Sequence, residues 1–252
     1  SYTDDFIKIK IESFIKTNSV KNIKMKFIYK NICLLYNLFF SLCEDFFLKK
    51  KKINNELYVF FKEIDFKLID IDRFNSKGNK YLEKIIFPEK DIIKIINDLF
   101  IKNDLMNKIT NLTGFKYTVS FFTAYKTYKL DDKNKDKNLY ANHFHRDKPY
   151  SKNMIKLIFS FQEITANDGP MEIVNNNVIK VCLKKNEIFL FHPNRIDHRA
   201  TSPNSGERFQ MMFQLNPSIN WQFNCSIYNK QMYREPKFPF FSYLLDKKKK
   251  II

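Results

Sequence analysis

The chain has 252 residues and a formal net charge of +17, with 44% hydrophobic and 16% aromatic residues. That composition suits one large domain and excludes a disordered chain, the two ends aside. The charge does not imply a nucleic-acid partner: 38 of the 44 basic residues are Lys and six are Arg, and no zinc-finger, helix-turn-helix or RNA-binding signature accompanies them.

Residues 7–11 alternate apolar and charged side chains, a strand pattern. Residues 25–49 predict an amphipathic helix, with Ile28, Ile32, Leu35, Phe39, Leu42 and Phe46 at spacings of three and four. The Lys run at 49–52 closes it in solvent. Its most apolar stretch is interrupted by Asn37, Ser41, Glu44 and Asp45, short of the roughly 20 apolar residues a membrane span needs. No signal peptide is visible, and Cys33, Cys43, Cys182 and Cys225 lack metal-ligand spacing. Reduced, partly buried thiols and a cytoplasmic location are expected. Segments 57–61 and 66–71 are short and apolar with no decisive period.

Pro88 predicts a helix start, and the helix continues through Ile92, Ile93, Ile96, Phe100 and Leu105 until Thr113-Gly114 ends the region. Residues 115–128 are rich in β-branched and aromatic types and predict a long strand. A mobile polar loop is expected over 131–137. Thereafter strands are predicted at 141–146, 154–162, 171–174, 178–183, 187–191, 198–201 and 208–215. The intervening turns, Asn167-Asp168-Gly169-Pro170 among them, carry suitable turn residues. Many short strands at this spacing predict a sandwich or jelly roll. Beyond Pro217 the chain is aromatic and Pro-bearing and runs into the basic stretch 247–250, to which no structure is assigned.

All four histidines fall in two places: His143 and His145, then His192 and His198. On a strand, residues i and i+2 point the same way, so His145 and Asp147 share a face. With His198 from a late strand they supply two imidazoles and one carboxylate, a set that suits Fe(II) and leaves coordination positions open. His143 has the right parity but no carboxylate two residues on. His192 competes with His198, but it precedes Pro193 where the apolar strand ends, which favours a supporting role. Arg208 follows His198 by ten residues, across a Pro203–Gly206 turn.

In order and spacing, residues 142–217 resemble the phytanoyl-CoA dioxygenase family of Fe(II)/2-oxoglutarate-dependent oxygenases. The match consists of His145-x-Asp147, the apolar segment 155–164, Asn167-Asp168-Gly169-Pro170, the strand Glu187-Ile188-Phe189-Leu190-Phe191, His198 and Arg208. The chain departs from the family at Asn175-Asn176-Asn177, where a Pro-Gly-Ser-His sequence is usual. It also has Ala200 where relatives often place a cosubstrate-binding hydroxyl, with Thr201 next to it.

The resemblance implies a mainly β core with helices (α+β), a double-stranded β-helix of the jelly-roll, cupin-like kind. One oxygenase domain would span 1–252: a mostly helical N-terminal region at 1–112 that shapes the substrate pocket, the core at 113–217 and a basic extension at 218–252. It further implies Fe(II) held by His145, Asp147 and His198, with 2-oxoglutarate and O2 as cosubstrates. Arg208 would grip the far carboxylate of 2-oxoglutarate with its planar fork, and Thr201 would lend a second contact. The reaction would hydroxylate a small molecule or biosynthetic intermediate, releasing succinate and CO2. Asp147 argues against the halogenating branch, which lacks this carboxylate. Two alternatives are a cupin-like metal-binding module without turnover and a basic nucleic-acid-acting oxygenase, which the charge alone suggests.

Overall fold

The computed structural model describes residues 58–66, 70–134, 137, 139, 141–147, 153–160, 162–218 and 221–223. The predicted elements at 7–11 and 25–49, the Lys runs at 49–52 and 247–250, and Cys33, Cys43 and Cys225 lie outside them.

Three short strands come first: β1 (Tyr58–Phe61), β2 (Ser76–Asn79) and β3 (Leu82–Ile85). Helix α1 (Glu89–Ile96) runs into a π-helical turn (Asn97–Lys102), then α2 (Leu105–Thr113) and the long strand β4 (Lys116–Tyr128). After a 3-10 turn (Asp132–Asn134) come β5 (Ile155–Phe159), β6 (Met171–Asn175), β7 (Asn177–Val181), β8 (Ile188–Phe191), β9 (Asp197–Arg199), β10 (Glu207–Ser218) and β11 (Gln222–Phe223).

The large sheet has the order β1-β8-β5-β10-β4-β3-β2, with β11 beside β4, and the small one the order β7-β6-β9. From β4 onward the chain crosses repeatedly between the two, β5, β8 and β10 returning to the large sheet. That alternation is the double-stranded β-helix, or jelly roll.

The central strands β5 and β8 are buried along their whole length, because both faces of the sheet are covered there. On one side Leu157, Leu190, Met211, Phe213 and Leu215 pack with Ile92, Ile95, Leu99, Phe100 and Ile109 of the helical layer. Phe213 sits at the centre of this cluster, 5.3 Å from the Phe100 ring and 4.7 Å from that of Phe122. On the other side Ile158, Phe189, Phe191 and Met212 meet Met171 and Ile173 of the small sheet and Val181 at the end of β7. The site opens from this second, inner core.

Strand β4 carries a bulge. Gln214 pairs with Phe121 but Leu215 pairs with Val119, so β4 has one residue too many between them. Below the bulge Tyr117 and Val119 belong to the helix-facing core, as do Phe122 and Ala124 above it, while Phe121 turns to the inner one. One inserted residue reverses a period-two pattern, and it thereby aims Thr123, Tyr125 and Thr127 inward.

Three expectations are corrected. Residues 141–146 form no strand; a single bridge joins His145 to His198. The helix begun after Pro88 does not run unbroken to Leu105, since Asp104 adopts a left-handed conformation (φ 55°) ahead of α2. Asn103 fixes the break, its amide nitrogen donating to the carbonyls of Asp98 and Asp65 and its oxygen accepting from the Asp65 N–H. Cys182 is exposed rather than partly buried. The loop from Asp131 is anchored where it begins: the Tyr81 hydroxyl and Lys80 ammonium hold the Asp131 carboxylate, keeping it at about 2. Gly114 (φ 79°) ends α2 as the Thr113-Gly114 pair predicts. Among the described residues, no helix is long and apolar enough to cross a membrane.

Candidate metal centre

His145, Asp147 and His198 converge so that one donor atom from each lies within 4.8 Å of the others. Strand pairing does only part of this. The His145 and His198 backbones exchange N–H···O bonds of 3.1 and 3.0 Å, Ala200 N–H donates to Ala141 O, and Asp147 N–H donates to Pro193 O at 2.9 Å. Outside the barrel, Arg146 forks onto Asp197 (3.1 and 2.9 Å), while Arg199 pairs with Glu172 and covers the Phe144 ring. The short β9 and the irregular 141–147 segment are thus clasped together without a regular ladder.

The ring nitrogens are already sorted. His145 Nδ1 lies 2.8 Å from His143 O, and His198 Nδ1 lies 3.1 Å from Ile196 O. A carbonyl can only accept, so each Nδ1 is the donor there, and Nε2 is the ring nitrogen left to face the site. Both Nε2 atoms face Asp147 Oδ1, at 3.6 Å from His145 and 3.8 Å from His198. Burial, with the neighbouring Lys156 ammonium, pushes His198 down to about 4 against the opposing pull of Asp147. Its imidazole is therefore neutral near pH 7. Two imidazoles and one carboxylate oxygen brought this close together fit a divalent first-row cation with open positions.

His192 and His143 stay out of this cluster. His192 is buried just after β8, its Nδ1 3.2 Å from Met154 O, which agrees with the predicted strand-end position. His143 is exposed and contributes its carbonyl to His145.

Arg208 lies near the start of β10, opposite Thr127 of β4. It is 1% exposed, the largest side chain so completely buried among the described residues. Alternation along β10 sends Phe209, Met211 and Phe213 to the helices and Met212 to the inner core, so Arg208 shares the inner face. Its guanidinium donates to Thr201 O at 3.3 Å and to Thr127 Oγ1 at 3.2 Å. Thr201 thus meets Arg208 through its carbonyl, while its hydroxyl donates to Pro170 O at 2.6 Å. Gly169 (φ +67°) lets this turn close on the loop before β10, since a Cβ there would lie 2.4 Å from Ser202 C and 2.5 Å from Pro203 N.

Two neighbours of the site went unnoticed in the sequence. Lys156 of β5, 4% exposed, makes a close ion pair with Asp147 Oδ2. A lone Lys inside Ile155-Lys156-Leu157-Ile158-Phe159 was the available signal, because an unpaired ammonium is not buried in such a strand. Thr127 carried none, because its inward aim depends on the bulge.

No family model matches the chain, and no curated protein matches it. Among solved structures, the chain is similar to HygX from Streptomyces hygroscopicus with nickel, 2-oxoglutarate and hygromycin B bound, at 11% identity. That match covers 64% of this chain and 83% of the other, with a TM-score of 0.45. SnoN, a non-heme alpha-ketoglutarate-dependent epimerase from nogalamycin biosynthesis, matches at 11% identity over 64% and 78%, TM-score 0.45. A 2OG-Fe(II) oxygenase family oxidoreductase from Burkholderia pseudomallei matches at 8% identity over 60% and 78%, TM-score 0.43.

Proposed function

We propose that this chain is an Fe(II)- and 2-oxoglutarate-dependent oxygenase, of the phytanoyl-CoA dioxygenase type, that hydroxylates a small molecule in the cytoplasm. The observation that carries the reading is the convergence of His145 Nε2, His198 Nε2 and Asp147 Oδ1, with Arg208 buried on the inner face of the same barrel. His145, Asp147 and His198 would hold the metal. When bound, iron supplies the oxidative decarboxylation of 2-oxoglutarate that drives substrate oxidation.

The chain's own residues do the rest. The His143 and Ile196 carbonyls orient the two imidazoles. Arg208 offers the fork that matches a carboxylate, and Thr201 O and Thr127 Oγ1 fix its direction. Thr201 therefore serves the cosubstrate by positioning Arg208. Phe191, whose ring centroid is 5.0 Å from that of His198, helps line a dry wall beside the site, which strengthens every charge interaction there. A metal-binding module without turnover would have no use for a buried guanidinium on this face, so Arg208 favours the enzyme.

The test is succinate formation from 2-oxoglutarate by the Fe(II)-loaded protein in air. Slow turnover without a prime substrate is expected, with none in Asp147→Ala. Iron-loaded protein that never decarboxylates 2-oxoglutarate, with or without candidate substrates, would favour the binding module.

A further inference from the structure

The two oxygens of Asp147 face different partners. Oδ1 is turned to the two imidazoles, at 3.6 and 3.8 Å, whereas Oδ2 is sealed from solvent against the Lys156 ammonium. Lys156 is held there by register, opposite Gln214 of β10 on one side and Phe191 of β8 on the other. Its strand is buried throughout, so the ammonium has no route to solvent and its stem is packed like a core side chain.

We propose that Lys156 is a positioning residue for the metal centre: by holding Oδ2 it restricts Asp147 to one-oxygen ligation. The inference rests on the metal-centre reading above. Its consequence is a matter of counting. A carboxylate can bind through one oxygen or two. Two imidazoles and a two-oxygen carboxylate fill four of six octahedral positions and leave two, which a chelating 2-oxo acid would take entirely. One-oxygen ligation leaves a third. An ammonium on the outer oxygen is the simplest way to enforce that choice, because rotating the carboxylate to offer both oxygens would strip a buried charge of its partner.

The experiment counts water on the metal. Mn(II)-loaded protein is examined by electron paramagnetic resonance in oxygen-17-enriched water, where each bound water broadens the signal. Wild type should show about three waters on an octahedral ion and Lys156→Met about two. An unchanged count in Mn(II)-bound Lys156→Met would overturn the assignment. Failure of wild type to bind Mn(II) would instead overturn the metal-centre reading, and this inference with it.

A metal-free cycle gives an independent readout. Lys156→Met and Asp147→Asn should each lower the melting temperature, and the double variant should lose clearly less than the sum of the two shifts. Strictly additive losses would mean the pair does not act as a unit. If Lys156→Met alone fails to fold, the double variant should recover folded protein. If it does not, Lys156 serves packing alone and the proposal falls.

Discussion

Truncating Arg208 isolates the cosubstrate side of the site from the metal side. In Arg208→Ala a guanidinium that is 1% exposed disappears, and Thr201 O and Thr127 Oγ1 lose its donors at 3.3 and 3.2 Å. Each acceptor stranded in this way costs about 1–3 kcal/mol of stability, less where water fills the space. The larger effect is on the ligand. A carboxylate driven into the same inner face without its bidentate partner forfeits about 2–5 kcal/mol, which is roughly 30- to 4,000-fold in affinity at about tenfold per 1.4 kcal/mol. Arg208→Lys should recover only part of this, since an ammonium cannot make two parallel bonds. Neither variant touches His145, Asp147 or His198, so metal affinity should barely move. Calorimetric titration of 2-oxoglutarate into anaerobic, metal-loaded protein measures the ligand term, and scanning calorimetry of the free protein measures the stability term. Unchanged 2-oxoglutarate affinity in Arg208→Ala would refute the assignment and show that another base holds the dianion.

Two further outcomes follow from the geometry. Metal binding should be lost in His145→Ala, Asp147→Ala and His198→Ala but retained in His192→Ala, whose ring is anchored on Met154 O outside the three-residue cluster; iron titration of the four variants decides this, and the reverse pattern for His192 and His198 would exchange their roles. Gly169→Ala meets both a left-handed backbone and a Cβ position 2.4 Å from Ser202 C, so a loss of about 2–4 kcal/mol is expected. That corresponds to a fall of about 4–16 °C in melting temperature, and an unchanged melting curve would mean the turn separates freely from the loop before β10.

Much of the barrel was written locally. The β-branched and aromatic run ending at Tyr128, the turn residues around Gly169 and the short apolar segments each dictate their own conformation, so strand existence and order were legible. The candidate site was legible for a different reason: His145, Asp147, His198 and Arg208 stand at intervals that a fixed barrel topology imposes on a chain, and spacing survives in sequence. Tertiary structure decided what depends on partners far apart. Residues 141–147 have too little ladder to be a strand, and they converge with β9 because Pro193 O, His198 and Asp197 hold them from outside the segment. The polar hairpin of β2 and β3 forms because Leu82–Ile85 pairs along β4, a contact with no local signature. Asn103 breaks the helix through a backbone 38 residues away. Lys156 looks misplaced in an apolar strand until Asp147 is brought against it. The bulge in β4 matters most for the site: one residue inserted between Val119 and Phe121 reverses the parity of everything after it. Only pairing with β10 reveals that Thr127 faces inward, against Arg208.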